Sequence, residues 1–238
     1  MLGLQNSNSH QKVQSQFQIS DPIYQLEDID LHYDQLQALK KVNMQVGKGE
    51  FLFLTGVSGA GKTSLLKILS GEIGNYQGRI LAPEDMGEKK YFVSQVFQDL
   101  RLIEDMSIAD NLDLAYDPTL YKSRKQYIKD RNDLCHILGF SNKLKLKATL
   151  ANGGLRQKVA IIRALLSKPD LLIADEPTSS LDKDNAFKLY ELLNLYNNKK
   201  GLTVIWASHN QDLVKKFSGR ILHLDQGKIV YTGHACFI

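Results

Sequence analysis

Eight consecutive residues, Gly56-Val57-Ser58-Gly59-Ala60-Gly61-Lys62-Thr63, fit the spacing G-x-x-x-x-G-K-[ST]. Glycines there let backbone N–H groups turn inward around an anion, the lysine adds a compact positive charge, and the threonine hydroxyl can join the shell of a divalent cation. The chemistry is capture of a polyphosphate together with its metal. With glycine at about 7% usage, a chance match in a chain of this size comes to about 1%. A second element is the apolar run Leu171-Leu172-Ile173-Ala174 followed by Asp175-Glu176. An aspartate at a strand's C-terminal end suits a metal shell, and the glutamate beside it can polarise a water for attack on a terminal phosphoryl group. Alone, such a pair is an ordinary solvated strand end; in a chain that also carries the glycine–lysine loop it points to hydrolysis. A third stretch, Thr149 to Leu166 (TLANGGLRQKVAIIRALL), opens with Asn152-Gly153-Gly154 and continues as an amphipathic helix. Asn152 suits the N-cap, and the helix start is itself an anion site.

These residues need elements to hold them. EFLFLT (residues 50–55) is almost wholly apolar, as a buried central strand is, and Gly56 ends it. A helix follows from Gly61 through Ser70, with Leu65, Leu66 and Leu69 as its inward stripe. Further strands are expected in residues 23–33, 42–46, 78–81, 91–97, 170–175, 203–208 and 220–224, the later ones alternating with helices, which is a mostly parallel α/β pattern. Residues 100–168 carry no convincing strand; helices are expected near 107–115, 121–139 and 155–167, with Leu155, Val159, Ile162 and Leu166 on one face of the last. The domain expectation is a tail over 1–22 too polar to order, an α/β core over about 23–98 and 169–238, and an inserted helical lobe over about 99–168.

The chain has 238 residues, 43% of them hydrophobic, enough for one large domain. Its net charge of +4, from 30 basic and 26 acidic residues, is too small to argue for nucleic acid. Lys122, Arg124, Lys125, Arg131, Lys143 and Lys147 cluster in the middle, as a solvated helix face or a lipid- or partner-facing patch. Cys135 and Cys236 lack zinc-like spacing and are expected as free thiols of a reducing compartment. No apolar run nears the roughly 20 residues a membrane helix needs, so a soluble, cytoplasmic protein is expected.

The run Asp175-Glu176-Pro177-Thr178-Ser179-Ser180-Leu181-Asp182, followed by Ser208-His209, resembles the nucleotide-binding domain of ABC-type ATPases, and the resemblance covers nearly all of residues 23–233. It implies an α/β fold, a P-loop NTPase (RecA-like) core with a small antiparallel β lobe and an inserted helical subdomain. It implies ATP and Mg²⁺ as ligands, with Gly56, Ser58, Gly59, Ala60, Gly61, Lys62, Thr63 and Ser64 around the phosphates and Tyr33 stacked on adenine. Thr63, Gln98 and Asp175 would hold the Mg²⁺. Glu176 would be the base, Gln98 the hinge glutamine that meets the metal and the attacking water, and His209 a donor to the γ-phosphate. Ser179 to Asp182 would cross a dimer interface. In the family, LSGGQ caps a helix aimed at ATP on the opposite subunit; here Ala151-Asn152-Gly153-Gly154-Leu155 stands in its place, which implies a head-to-tail homodimer formed on ATP, with the polar contact at Leu155 lost. One such hydrogen bond is worth on the order of 1 kcal/mol, so slow but real hydrolysis is expected.

With one nucleotide-binding half and no membrane span, the chain is expected to work with a separate membrane protein, neither as a fused exporter nor as a two-cassette translation factor. Within the family, FLTGVSGAGKTSLLKILSG with VFQDLRLI resembles the cell-division branch, FtsE. That implies an integral FtsX-like permease as partner, control of cell-wall hydrolases, and a peripheral position on the cytoplasmic face of the membrane. A lipoprotein-releasing or macrolide-type export ATPase, and an ATP-binding scaffold with negligible hydrolysis, are the alternatives. The altered signature, the short Gly78–Gln98 segment, which implies a reduced antiparallel lobe, and the polar tail depart from the family pattern.

Overall fold

A computed structural model describes residues 19, 22–82, 85 and 90–235. The expected tail lies almost wholly outside the described residues, as does Cys236. The chain divides into two compact units, residues 1–90 with 209–238, and residues 91–208.

In the first unit, β1 (Pro22–Tyr33) runs antiparallel to β2 (Leu36–Gly47), and β4 (Gln77–Leu81) pairs along the other edge of β1. Ile23, Leu26, Ile29 and Leu31 on β1 and Leu39, Val42, Met44 and Val46 on β2 are all buried, the one-sided burial of an antiparallel sheet. Asp28 (φ 47°) breaks the period where the β1 register shifts between Leu26 and Ile29. β2 is longer than the expected 42–46 because the two-residue turn at Asp34-Gln35 lets pairing begin at Tyr33–Leu36.

The same unit holds β3 (Phe51–Thr55), buried at every position, parallel to β8 (Gly219–Asp225), which pairs antiparallel with β9 (Lys228–Ala235). The sequence reading has no strand after Leu224, so β9 is a correction. Its Val230 and Tyr231 are about half exposed, which leaves no clean alternation to read, while Gln226 (φ 44°) and Gly227 (φ 79°) form the two-residue hairpin turn that starts it. Helix α1 (Lys62–Leu69) follows the glycine loop and buries Leu65, Leu66 and Leu69 as its stripe requires, and the short α6 (Gln211–Val214) is capped by Asn210.

In the second unit, β5 (Val93–Val96), β6 (Leu171–Asp175) and β7 (Thr203–Ser208) are parallel in that order, with β6 and β7 fully buried. Between β5 and β6 come α2 (Ile108–Asp113), α3 (Arg124–Ile137) and α4 (Gly153–Leu166). Ser107, Ser123 and Asn152 cap them, each accepting from a backbone N–H three residues on. Val159, Ile162 and Leu166 of α4 are buried as expected, and Leu155 is half-buried. Part of the basic cluster is tied down locally, since Arg124 and Arg131 both pair with Asp113 (2.5 and 2.8 Å). Helix α5 (Lys183–Lys200) starts at Asp182 and ends at Gly201 in the left-handed region (φ 69°).

Candidate functional site

β3 delivers the chain to Gly56, whose φ is 151° and where an added Cβ would lie 2.2 Å from the Leu224 carbonyl oxygen. At Gly61, the N-cap of α1, φ is 106° and a Cβ would come within 2.7 Å of the Ala38 carbonyl oxygen. No side chain fits either position. Gly59 (φ 78°) is different: a Cβ there would meet nothing within 4 Å, so its demand is purely one of backbone shape, in the exposed middle of the loop. Lys62, the first residue of α1, is 7% exposed, and its Nζ donates to the carbonyl oxygens of Gly56 (2.8 Å) and Val57 (3.0 Å), so the loop is curled around its own lysine. Thr63 is exposed and Ser64 half-buried on the first turn of α1, and the Tyr33 hydroxyl, on a side chain 44% exposed, donates to Ser64 Oγ at 3.4 Å. The structure therefore brings Tyr33 to the loop and helix start of residues 56–64. His209 is exposed in the same unit, and its carbonyl accepts from the Gln211 N–H at 3.1 Å.

The second unit holds the other candidates. Asp175 is the last residue of β6 and 6% exposed. Glu176 follows with φ 49°, a left-handed backbone that costs a β-carbon residue on the order of 1 kcal/mol or more unless its surroundings hold it. They do. Its N–H donates to Ala207 O on β7 (3.0 Å), and its carbonyl accepts from Ser179 N (3.1 Å) and from Gln157 Nε2 (2.9 Å). Gln98 is exposed just past β5, in a turn closed by Leu100 N donating to Phe97 O at 3.0 Å. Leu100 and Arg101 are both left-handed, and the Arg163 guanidinium from α4 donates to their two carbonyls at 2.9 and 2.8 Å. Burial pushes the Arg163 pKa down without threatening its charge.

At the head of α4, Asn152 Oδ1 accepts from Leu155 N at 2.9 Å, as the sequence predicts for a cap. With Oδ1 so committed, Nδ2 is the end that can donate to a phosphate oxygen. The two glycines also answer a neighbour in their own chain: a Cβ at Gly153 would be 3.1 Å from Ser180 Oγ, and one at Gly154 would be 2.9 Å from Ser180 O. Residues 152–154 and the 179–182 turn are thus brought together. Asp182 caps α5 by accepting from Asn185 N (2.8 Å) and Nδ2 (2.7 Å), bonds that hold its carboxyl below the usual carboxylate range. Gln157, absent from the sequence-predicted residues, sits between the two segments. The signal for it was a glutamine on the buried side of an otherwise apolar run, 4% exposed here.

The loop of residues 56–63 and the Asp175–Glu176 pair each have the form that phosphate capture and hydrolysis require. The ABC transporter family model matches residues 39–179, more than half of the chain. The phosphonates import ATP-binding protein PhnC of Bdellovibrio bacteriovorus is 35% identical over 234 residues, covering 90% of this chain and 89% of its own. The cell division ATP-binding protein FtsE of Streptococcus pneumoniae is 30% identical over 219 residues, covering 87% and 94%. Among solved structures, the dimeric MJ0796, a bacterial ABC transporter cassette, superposes with a TM-score of 0.75 at 25% identity over 90% of this chain and all of that one. That cassette is also known in a post-hydrolysis state bound to ADP and Pi. The chain belongs to the ABC transporter family, as one of its ATP-binding, ATP-hydrolysing subunits.

Proposed function

We propose that this subunit binds Mg²⁺-ATP through Gly56, Ser58, Gly59, Ala60, Gly61, Lys62, Thr63 and Ser64, with Tyr33 against the adenine, and hydrolyses it with Glu176 as general base. The observation that carries the reading is the lysine: a nearly buried ammonium, held on the carbonyls of a three-glycine loop, is a charge stored where a triphosphate can take it over. Among the described residues no group of three or more His, Cys, Asp or Glu could hold a metal. Mg²⁺ keeps several waters and binds through phosphate oxygens and one or two protein groups, which here would be the Thr63 hydroxyl and the Asp175 carboxylate, with Gln98. When bound, the metal would neutralise charge building on the phosphate oxygens. Glu176 takes the proton of the attacking water, Gln98 orients that water, and His209 donates to the γ-phosphate.

The second half of the reading is a head-to-tail pair, in which Asn152, Gly153 and Gly154 of one copy meet the triphosphate held by the other and the segment ending at Asp182 lies at the interface. The cap at Asn152 leaves an amide donor and the helix-start N–H groups for that contact, while Leu155 offers none. Phosphate release by the full chain, compared with Glu176→Gln, tests the enzyme against the scaffold alternative. A Glu176→Gln rate at least a hundredfold lower supports hydrolysis; equal rates support the scaffold.

Closure and reopening of the pair would drive an integral membrane partner from the cytoplasmic face. Among the described residues no helix is long and apolar enough to cross a membrane. For the partner, an FtsE-like role with an FtsX-like permease is supported by the FtsE of Streptococcus pneumoniae, matched over 94% of its length. The higher identity to PhnC favours a second reading, the ATPase of an import permease. Recovery from membranes with Glu176→Gln and ATP decides: a division permease supports the first, an import permease the second.

A further inference from the structure

We propose that Gln157 is the positioning residue of the hydrolytic glutamate, holding Glu176 in its left-handed conformation and linking that turn to the glycine-led tip of helix α4. The inference rests on Glu176 being the base. Three bonds carry it, and they use both ends of one buried amide: Nε2 donates to Glu176 O (2.9 Å) and to Ser179 Oγ (2.7 Å), and Oε1 accepts from Ser180 N (3.0 Å). Glu176 has φ 49°, a conformation that relaxes unless its peptide groups are fixed on both sides. One side is fixed by its N–H on Ala207 O of the neighbouring strand. The other is the carbonyl, which accepts from Gln157 Nε2 and from Ser179 N. Removing the amide takes one donor from that carbonyl and leaves it to Ser179 N, which loosens the peptide just after the glutamate, where a small rotation swings the carboxylate away from the water it must activate.

The position of Gln157 in α4 gives the contact a second consequence. It stands four residues, or one helical turn, after Gly153, and Ser180, whose N–H it accepts, is the residue that abuts Gly153 and Gly154. A load on the Asn152–Gly154 tip is therefore borne by the same small cluster that sets the Glu176 backbone. Within one chain, engagement of the tip and alignment of the base are mechanically joined.

The test is the separation of kcat from KM for ATP in the full chain, with its membrane partner if turnover requires it. Rates are normalised to ATP-binding stoichiometry so that unfolded protein drops out. Gln157→Ala is expected to lower kcat about 10- to 100-fold with KM within about twofold, the scale of a misplaced catalytic group. Gln157→Glu keeps an acceptor for Ser180 N but sets an oxygen against the Glu176 carbonyl, and should lose kcat likewise. Combined with Glu176→Gln, either change should cost nothing further, because both act through one carboxylate. If Glu176→Gln hydrolyses ATP at the wild-type rate, the assignment of the base is wrong. If Glu176→Gln is inactive while both Gln157 variants keep kcat within twofold, or the losses multiply in the double variants, the positioning role is overturned.

Discussion

The ammonium of Lys62 lies 2.8 Å from the carbonyl oxygen of Gly56 and 3.0 Å from that of Val57, two acceptors of the loop that it is meant to serve. Binding a triphosphate exchanges these neutral acceptors for anionic ones, adding charge–charge attraction to hydrogen bonds that are already charge-assisted on the donor side. Lys62→Ala should weaken ATP binding at least tenfold, measured by titration calorimetry. An unchanged affinity would remove the loop from the nucleotide site.

The two glycines of the α4 tip differ in what a methyl group would strike. At Gly154 it meets the Ser180 backbone oxygen at 2.9 Å, which cannot move without the turn; at Gly153 it meets the Ser180 side chain, Oγ at 3.1 Å and Cβ at 3.2 Å, contacts that a shift of a few tenths of an ångström relieves. Gly154→Ala should therefore cost about 1–3 kcal/mol and lower the melting temperature by several degrees, while Gly153→Ala costs less, helped by the better helix propensity of alanine. Thermal denaturation of both variants checks the order.

On the reading proposed above, the departure at Leu155 would lower the rate. Restoring polar groups with Asn152→Ser and Leu155→Gln should raise turnover several-fold, since serine keeps the cap and glutamine supplies a donor. Steady-state phosphate release is the readout, and a fall would contradict the account of this tip.

Burial pushes the Cys135 thiol up to about 12, so hardly any thiolate exists at neutral pH. Peptide mapping after alkylation at pH 8 should find Cys135 unmodified in the folded chain and fully modified in denaturant. Rapid native labelling would mean that α3 opens readily.

Much of this was legible in the sequence because the signals were local. The glycine–lysine loop, the Asn152 cap and the strand ending at Asp175 each rest on neighbours within a few residues, as do the Ser107 and Ser123 caps that the structure adds at the starts of α2 and α3. What escaped depended on distant partners. β9 pairs with β8 through a hairpin whose outer residues are half exposed, so alternation did not mark it. Gln157 acts through residues 19 to 23 positions away, and nothing in its immediate sequence says what its amide will reach. The glycines at 153 and 154 open a helix start that suits a phosphate, and the fold adds that the Ser180 carbonyl of the same chain leaves no room for a Cβ at 154.

The position of the triphosphate is decisive. A crystal structure of Glu176→Gln saturated with Mg²⁺-ATP should show the γ-phosphate against Lys62 of one copy and within hydrogen-bond reach of Asn152 of a second. A nucleotide held by Lys62 in a pairing that leaves both copies' Asn152–Gly154 tips remote from phosphate would contradict the head-to-tail reading.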